Sequence, residues 1–170
     1  MLVGPAGWVN GSHNLLVPHP DYYTTVLFRQ LMGSNYLSSN LTGSSAAELN
    51  ALDMHVWCSG ARSPVGEGGV VLTYVNFNAE DIQVQLPTSL AASSGTLYHL
   101  SALPDGTTTL DTLQNQGMYL NGGLLTVDEN GNLPAFPLPG VAFKGGDTLS
   151  VPGFTYGFVV MDYAAEACKA

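Results

Sequence analysis

The chain has 170 residues, enough for one domain with its own core, and 45% of them are apolar while only 10% are charged. Arg29, Arg62, Lys144 and Lys169 face thirteen acidic residues, for a net charge of −9; that leaves no basic patch for nucleic acid and repels anionic lipid or a polyanion. No apolar run reaches the roughly 18 residues of a membrane-spanning helix, and 20 Gly and 10 Pro favour short strands joined by turns over helix bundles.

Residues 1–20 are rich in Gly, Pro and Asn, lack periodicity and read as a loop. Asp21 can cap a helix over 21–32, in which Val26, Leu27, Leu31 and Met32 recur at helical spacing and Gly33 stands as the C′ residue. Tyr36 to Leu41 reads as a strand and Thr42 to Asn50 as a small polar linker with room for one helical turn. From Leu52 the period is two: Met54, Val56 and Cys58 alternate with His55 and Trp57. Val70 to Phe77 is an apolar strand, and Ile82, Val84 and Leu86 alternate with Gln83 and Gln85 before Pro87 ends the run. Thr96 to Leu100, Met118 to Leu120, Leu124 to Val127 and Thr155 to Tyr163 add further strands. About seven strands between Pro, Gly, Asp and Asn turns indicate a mainly β chain, an antiparallel β-sandwich preceded by one helix.

The chemistry-bearing residues do not assemble into a catalytic motif. There is no Gly-x-Ser-x-Gly elbow, no His-Glu-x-x-His and no paired Cys-x-x-Cys, so neither a serine nucleophile nor a zinc site is indicated, and no cofactor is expected. His55 and His99 fall on strands and read as half-buried packing residues; His13 and His19 read as surface residues of the first loop. Asp128-Glu129-Asn130-Gly131-Asn132 has the acids of a calcium loop but puts Leu133 where the sixth-position Gly belongs, and Asn130-Gly131 suits a tight hairpin turn better. A glycosidase needs two carboxyls flanking the scissile bond. Here the acids sit mostly in turns (Glu80-Asp81, Asp105, Asp128-Glu129, Asp147), no Asn-Glu pair occurs, and no catalytic residue is assigned. Asn10-Gly11-Ser12 and Asn40-Leu41-Thr42 are N-glycosylation sequons, and Cys58 and Cys168 form an even pair without metal spacing. These features point to the secretory route, and since Met1-Leu2-Val3-Gly4-Pro5 opens no signal peptide, the true N-terminus is then expected upstream.

Three stretches carry a family resemblance. Pro18-His19-Pro20-Asp21-Tyr22-Tyr23 opens the helix; Val56-Trp57-Cys58 is followed by Val71-Leu72-Thr73-Tyr74-Val75-Asn76-Phe77-Asn78; and Tyr119-Leu120-Asn121-Gly122 leads through Leu133-Pro134 to Pro152-Gly153-Phe154-Thr155-Tyr156-Gly157-Phe158-Val159-Val160 and Cys168. In order and spacing they resemble the C-terminal part of heparanase and the plant heparanase-like proteins, glycoside hydrolase family 79, over about 15–170. The resemblance implies retaining endo-β-glucuronidases acting on uronic-acid-containing glycans, built as a (β/α)₈ barrel with a β-sandwich at its side, both catalytic Glu residues lying upstream on barrel strands. Residues 1–33 would then be the last loop and helix of a truncated barrel and 34–170 the C-terminal sandwich, inactive alone, with the missing barrel as its partner. The expected location is extracellular, or a lysosomal or vacuolar lumen, and membrane association enters only as an attribute the family reading allows. By the same resemblance, Gly7 and Trp8 fall in a loop lining the substrate cleft, with Trp8 tucked under the barrel rim as the alternative. Cys58 and Cys168 fall where the family places a bridged pair, two buried free thiols being the alternative.

A rival from another class is an independent carbohydrate-binding or adhesion module. It would need an exposed aromatic row on one sheet face, for which Trp57, Tyr74, Phe77 and Tyr98 are the candidates. As a fragment, the chain is expected to leave Val26, Leu27 and Leu31 partly exposed, for want of the barrel.

Overall fold

A computed structural model describes residues 3–5, 16–43, 51–113, 117–128 and 132–169. In chain order the strands are β1 (Val3–Pro5), β2 (Leu16–Pro18), then after the helix α1 (Pro20–Leu31), β3 (Met32–Leu37), β4 (Leu52–Ser59), β5 (Val70–Asn76) and β6 (Ile82–Gln85). They continue as β7 (Ser94–Ser101), β8 (Met118–Leu120), β9 (Gly123–Leu125), β10 (Val141–Lys144), β11 (Thr148–Val151) and β12 (Tyr156–Met161). The main sheet runs β3-β4-β5-β12-β7-β8-β9, with β10 also paired to β7, and every pairing is antiparallel. β6 and β11 form a separate two-stranded ribbon, as do β1 and β2.

The two central strands explain the layering. β5 (Val70, Val71, Leu72) and β12 (Phe158, Val159, Val160, Met161) are apolar at successive positions, the mark of strands buried on both faces. On one face Val71, Tyr98, Leu100, Phe158 and Val160 pack against Tyr23, Leu27 and Leu31 of α1. On the other, Leu72, Tyr74, Val159 and Met161 pack against Val84, Leu86, Leu149 and Val151 of the β6–β11 ribbon and the chain leaving it.

Several sequence expectations need correction. The helix starts one residue early, with Pro20 in its first turn, and its N-cap is His19; Asp21 is exposed within the first turn, where it meets the helix dipole but does not cap. Gly33 does not stop the helix through a left-handed turn. The C-cap Met32 is already extended, at φ −95° and ψ 140°, and runs straight into β3. Glycine is favoured at 33 because a Cβ there would lie 3.0 Å from the carbonyl oxygens of Cys58 and Ser59, where the β3–β4 register shifts. That direct entry also moves the strand expected over Tyr36–Leu41 forward to Met32–Leu37. The stretch read as a loop over 1–20 contains β1 and β2, whose three-residue lengths are too short to show a period. Leu27 and Leu31 are fully buried, since the main sheet itself covers the helix stripe; only Val26 stays half-buried. Each such leucine contributes roughly 1.5–3 kcal/mol of burial. The seam is fixed by Gln30, whose Nε2 donates to Leu138 O at 3.2 Å while its Oε1 accepts from Leu138 N at 2.9 Å.

Candidate functional site

Among the described residues, two clusters bring aromatic and titratable side chains together. The first is internal. Tyr74 on β5 and His99 on β7 flank β12 and face the ribbon side of the sheet, and their side chains meet across Gly157. A Cβ at Gly157 would fall 2.4 Å from Tyr74 Oη, so only glycine lets the phenol pass over the strand. His99 Nε2 lies 2.8 Å from Gly106 O, which can only accept, so Nε2 carries the hydrogen and Nδ1 accepts from the Tyr74 hydroxyl at 2.8 Å. Burial pushes the Tyr74 phenol well above its ordinary value and holds the His99 imidazole below its own, the Gly106 carbonyl partly offsetting the latter. His99 is therefore a packing residue, as its strand position indicates, and fully hydrogen-bonded.

The second cluster faces outward, where α1 meets the β3–β4 edge. Phe28 packs edge-on to Trp57 with ring centroids 5.9 Å apart, and Tyr36, Trp57's cross-strand partner, packs edge-on at 5.2 Å. Tyr36 continues to His55, whose Nε2 lies 3.1 Å from Asp53 Oδ1. Phe28 is 44% exposed and Tyr36 52%. His55 is thus an exposed edge residue and not half-buried, because β3 no longer runs beside it on that face. Of the four aromatics weighed as a binding row, Tyr74 and Tyr98 are buried in opposite cores, Phe77 is exposed apart from the rest, and only Trp57 joins the cluster. Phe28 and Tyr36 were not among those four. Phe28 had a signal, a large aromatic off the apolar stripe of its helix.

The motif asparagines are scaffolding. Asn76 Nδ2 donates to the carbonyls of Glu80, Val151 and Pro152 at 2.9, 3.0 and 3.2 Å, joining the end of β5 to the ribbon. Asn121 and Gly122, with φ of 49° and 82°, form the two-residue turn between β8 and β9, and Asn121 Oδ1 accepts from His99 N. The Cys58–Cys168 disulfide is formed, with Cα atoms 5.3 Å apart across 110 residues of sequence. Asn40 is exposed just after β3. Gly7, Trp8, Asn10 and His13 lie outside the described residues, as does the Asn130-Gly131 turn. Among the described residues no group of three His, Cys, Asp or Glu could hold a metal ion, and no helix is long and apolar enough to cross a membrane.

No family model matches the chain. It is 33% identical to a heparanase of Gallus gallus over 93% of its own length and 29% of that protein's. It is 28% identical to a baicalin β-D-glucuronidase of Scutellaria baicalensis, over 88% of the chain and 26% of the relative. To an inactive heparanase-2 of Homo sapiens it is 26% identical, over 89% and 26%. The chain thus spans less than a third of the length of these relatives, a coverage that fits their C-terminal portion. By this similarity over about nine-tenths of its own length, the chain belongs to the heparanases and heparanase-like proteins.

Proposed function

We propose that the chain is the C-terminal, non-catalytic segment of a secreted family 79 glycoside hydrolase, in which the sandwich over 34–170 braces an upstream (β/α)₈ barrel. On this reading residues 1–33 belong to the end of that barrel, and the whole protein is a retaining endo-β-glucuronidase acting on uronic-acid-containing glycans. It works outside the cell or in a lysosomal or vacuolar lumen. The observation that carries the bracing role is the outward cluster of Phe28, Trp57 and Tyr36 at the junction of α1 with the sheet edge. Rings packed edge-to-face, at 73° and 75°, do not offer the coplanar row on which a sugar chain stacks. They suit a protein surface, where large aromatics anchor interfaces. Because α1 is already buried on the sheet, it acts as the seam between the two parts.

The test is reconstitution. The isolated chain is expected not to turn over a chromogenic β-glucuronide, for want of a carboxylate pair. Joined to its upstream sequence it is expected to support secretion of an active enzyme. Phe28→Ser with Trp57→Ser is expected to lower the yield of active enzyme at least about ten-fold while leaving the chain's own fold intact. Unchanged yield, or glycan binding by the isolated chain that is lost on Trp57→Ser, would favour the independent binding module.

A further inference from the structure

We propose that Asn40 carries an N-linked glycan whose first sugars lie across the open mouth of a cleft between the main sheet and the β6–β11 ribbon. The inference rests on the secretory reading above and adds the site and its consequence. Asn40-Leu41-Thr42 sits in a segment, 38–43, that leaves β3 without regular structure. Asn40 and Thr42 are exposed, while Leu41 between them is half-buried against the ribbon-side core. The segment therefore presents both residues that a glycosyl transfer needs and pins them by the one it does not. The disulfide between Cys58 and Cys168 is an independent observation of the same compartment, since such a bond persists where oligosaccharide transfer takes place.

The cleft, of about 980 Å³, is lined by Met54, Val56, Leu72, Ile82 and Val84, with Asn40 on its rim. In the transfer a bond forms between Asn40 Nδ2 and C1 of the first sugar, and the C1–O bond to a polyprenyl pyrophosphate carrier breaks. The carrier leaves as the pyrophosphate and the amide loses one proton. The C–H faces and N-acetyl groups of the first sugars are then held over the half-buried Met54, Val56 and Ile82, which water would otherwise meet.

The experiment secretes the chain, behind a supplied leader, from a eukaryotic host, and maps peptides before and after amidase deglycosylation. Asn40 is expected to bear the glycan, and Asn40→Gln and Thr42→Ala are each expected to abolish it; the Asn10 sequon lies on a separate peptide. Removing the glycan from folded, disulfide-bonded chain is expected to raise the fluorescence of an anilinonaphthalene dye by about two-fold or more. A secreted, disulfide-bonded chain bare at Asn40 overturns the proposal and leaves the secretory reading standing. A glycan at Asn40 whose removal leaves dye binding unchanged overturns the shielding of the cleft. Recovery of the natural protein reduced, from the cytosol of its source, overturns both.

Discussion

Tyr74–His99, on the main sheet, and Phe28–Trp57–Tyr36, where α1 meets that sheet, are built from similar residues, yet one cluster is closed and the other is open. Around His99 every donor has an acceptor, and the Gly106 carbonyl, which can only accept, fixes a single tautomer. At the sheet edge the rings cover one another only at their borders, and Phe28 and Tyr36 keep about half their surface in water. The difference lies in position. A pair that spans β5, β12 and β7 has strands on either side, whereas β3 ends the sheet, and Tyr36 on it and Trp57 on the next strand have Phe28 of α1 at one side and water at the other. Closed clusters hold a fold together and open ones are where a second body can add to it.

The comparison breaks hardest at Gly157. Gly157→Ala puts a methyl group 2.4 Å from both Tyr74 Oη and Tyr98 O, neither of which can retreat. A loss of about 3 kcal/mol or more in urea unfolding is expected, and a loss below about 1 kcal/mol would show that the pair is not closed. Acid sharpens it next. His99 is held neutral when folded and takes up a proton near its ordinary value of 6.5 when unfolded. Its contribution is complete above that value and is lost as pH falls from there toward the lower folded value. The loss is at most about 2 kcal/mol by pH 5. His99→Gln keeps one donor and one acceptor but cannot titrate, so its unfolding free energy should depend less on pH over that window than the parent's. Equal slopes would exclude His99 as the source.

On the open side the effects on the chain itself are smaller. Phe28→Ser with Trp57→Ser is expected to cost under about 2 kcal/mol in the isolated chain, because much of the lost surface was already wet. A larger loss would mean that the cluster is core. Tyr23 gives the smallest effect and the opposite sign. Its hydroxyl is buried without a hydrogen-bond partner among the described residues, and burial raises its pKa. Tyr23→Phe is therefore expected to stabilise the isolated chain by up to about 1 kcal/mol in thermal or urea unfolding. If an upstream barrel supplies the missing acceptor, the same change will destabilise the longer protein.

The sequence made some of this legible. β5 and β12 announce themselves as apolar runs too dense for a one-sided strand, and the helix shows its stripe through Leu27 and Leu31. β10 and β11 passed unseen for a physical reason. In β10 only Phe143 of four residues is buried, so no alternation registers; β11 does alternate, with Leu149 and Val151 buried beside exposed Thr148 and Ser150, but over four residues only. The Tyr74–His99 pair was unreadable because 25 positions separate its members, and only the insertion of β12 between their strands brings them together. Gly33 and Gly157 misled or kept silent alike, since a glycine favoured by a neighbouring chain leaves no mark in its own local sequence. The pairing of Cys58 with Cys168 was implied by family resemblance alone; a count of two fixes no geometry.

That covalent link has a consequence for how the molecule fails. It closes a ring that encloses β5 through β12, so most of the sheet lies between its two ends. A protease that cuts one exposed turn inside the ring, such as Asp105-Gly106, leaves the fragments joined by the sulfur bridge as well as by the sheet. Such a nicked molecule runs at full size until it is reduced. In a degradative lumen the chain can accumulate a first cut without shedding a piece, and only a second cut, or loss of the bridge, releases one.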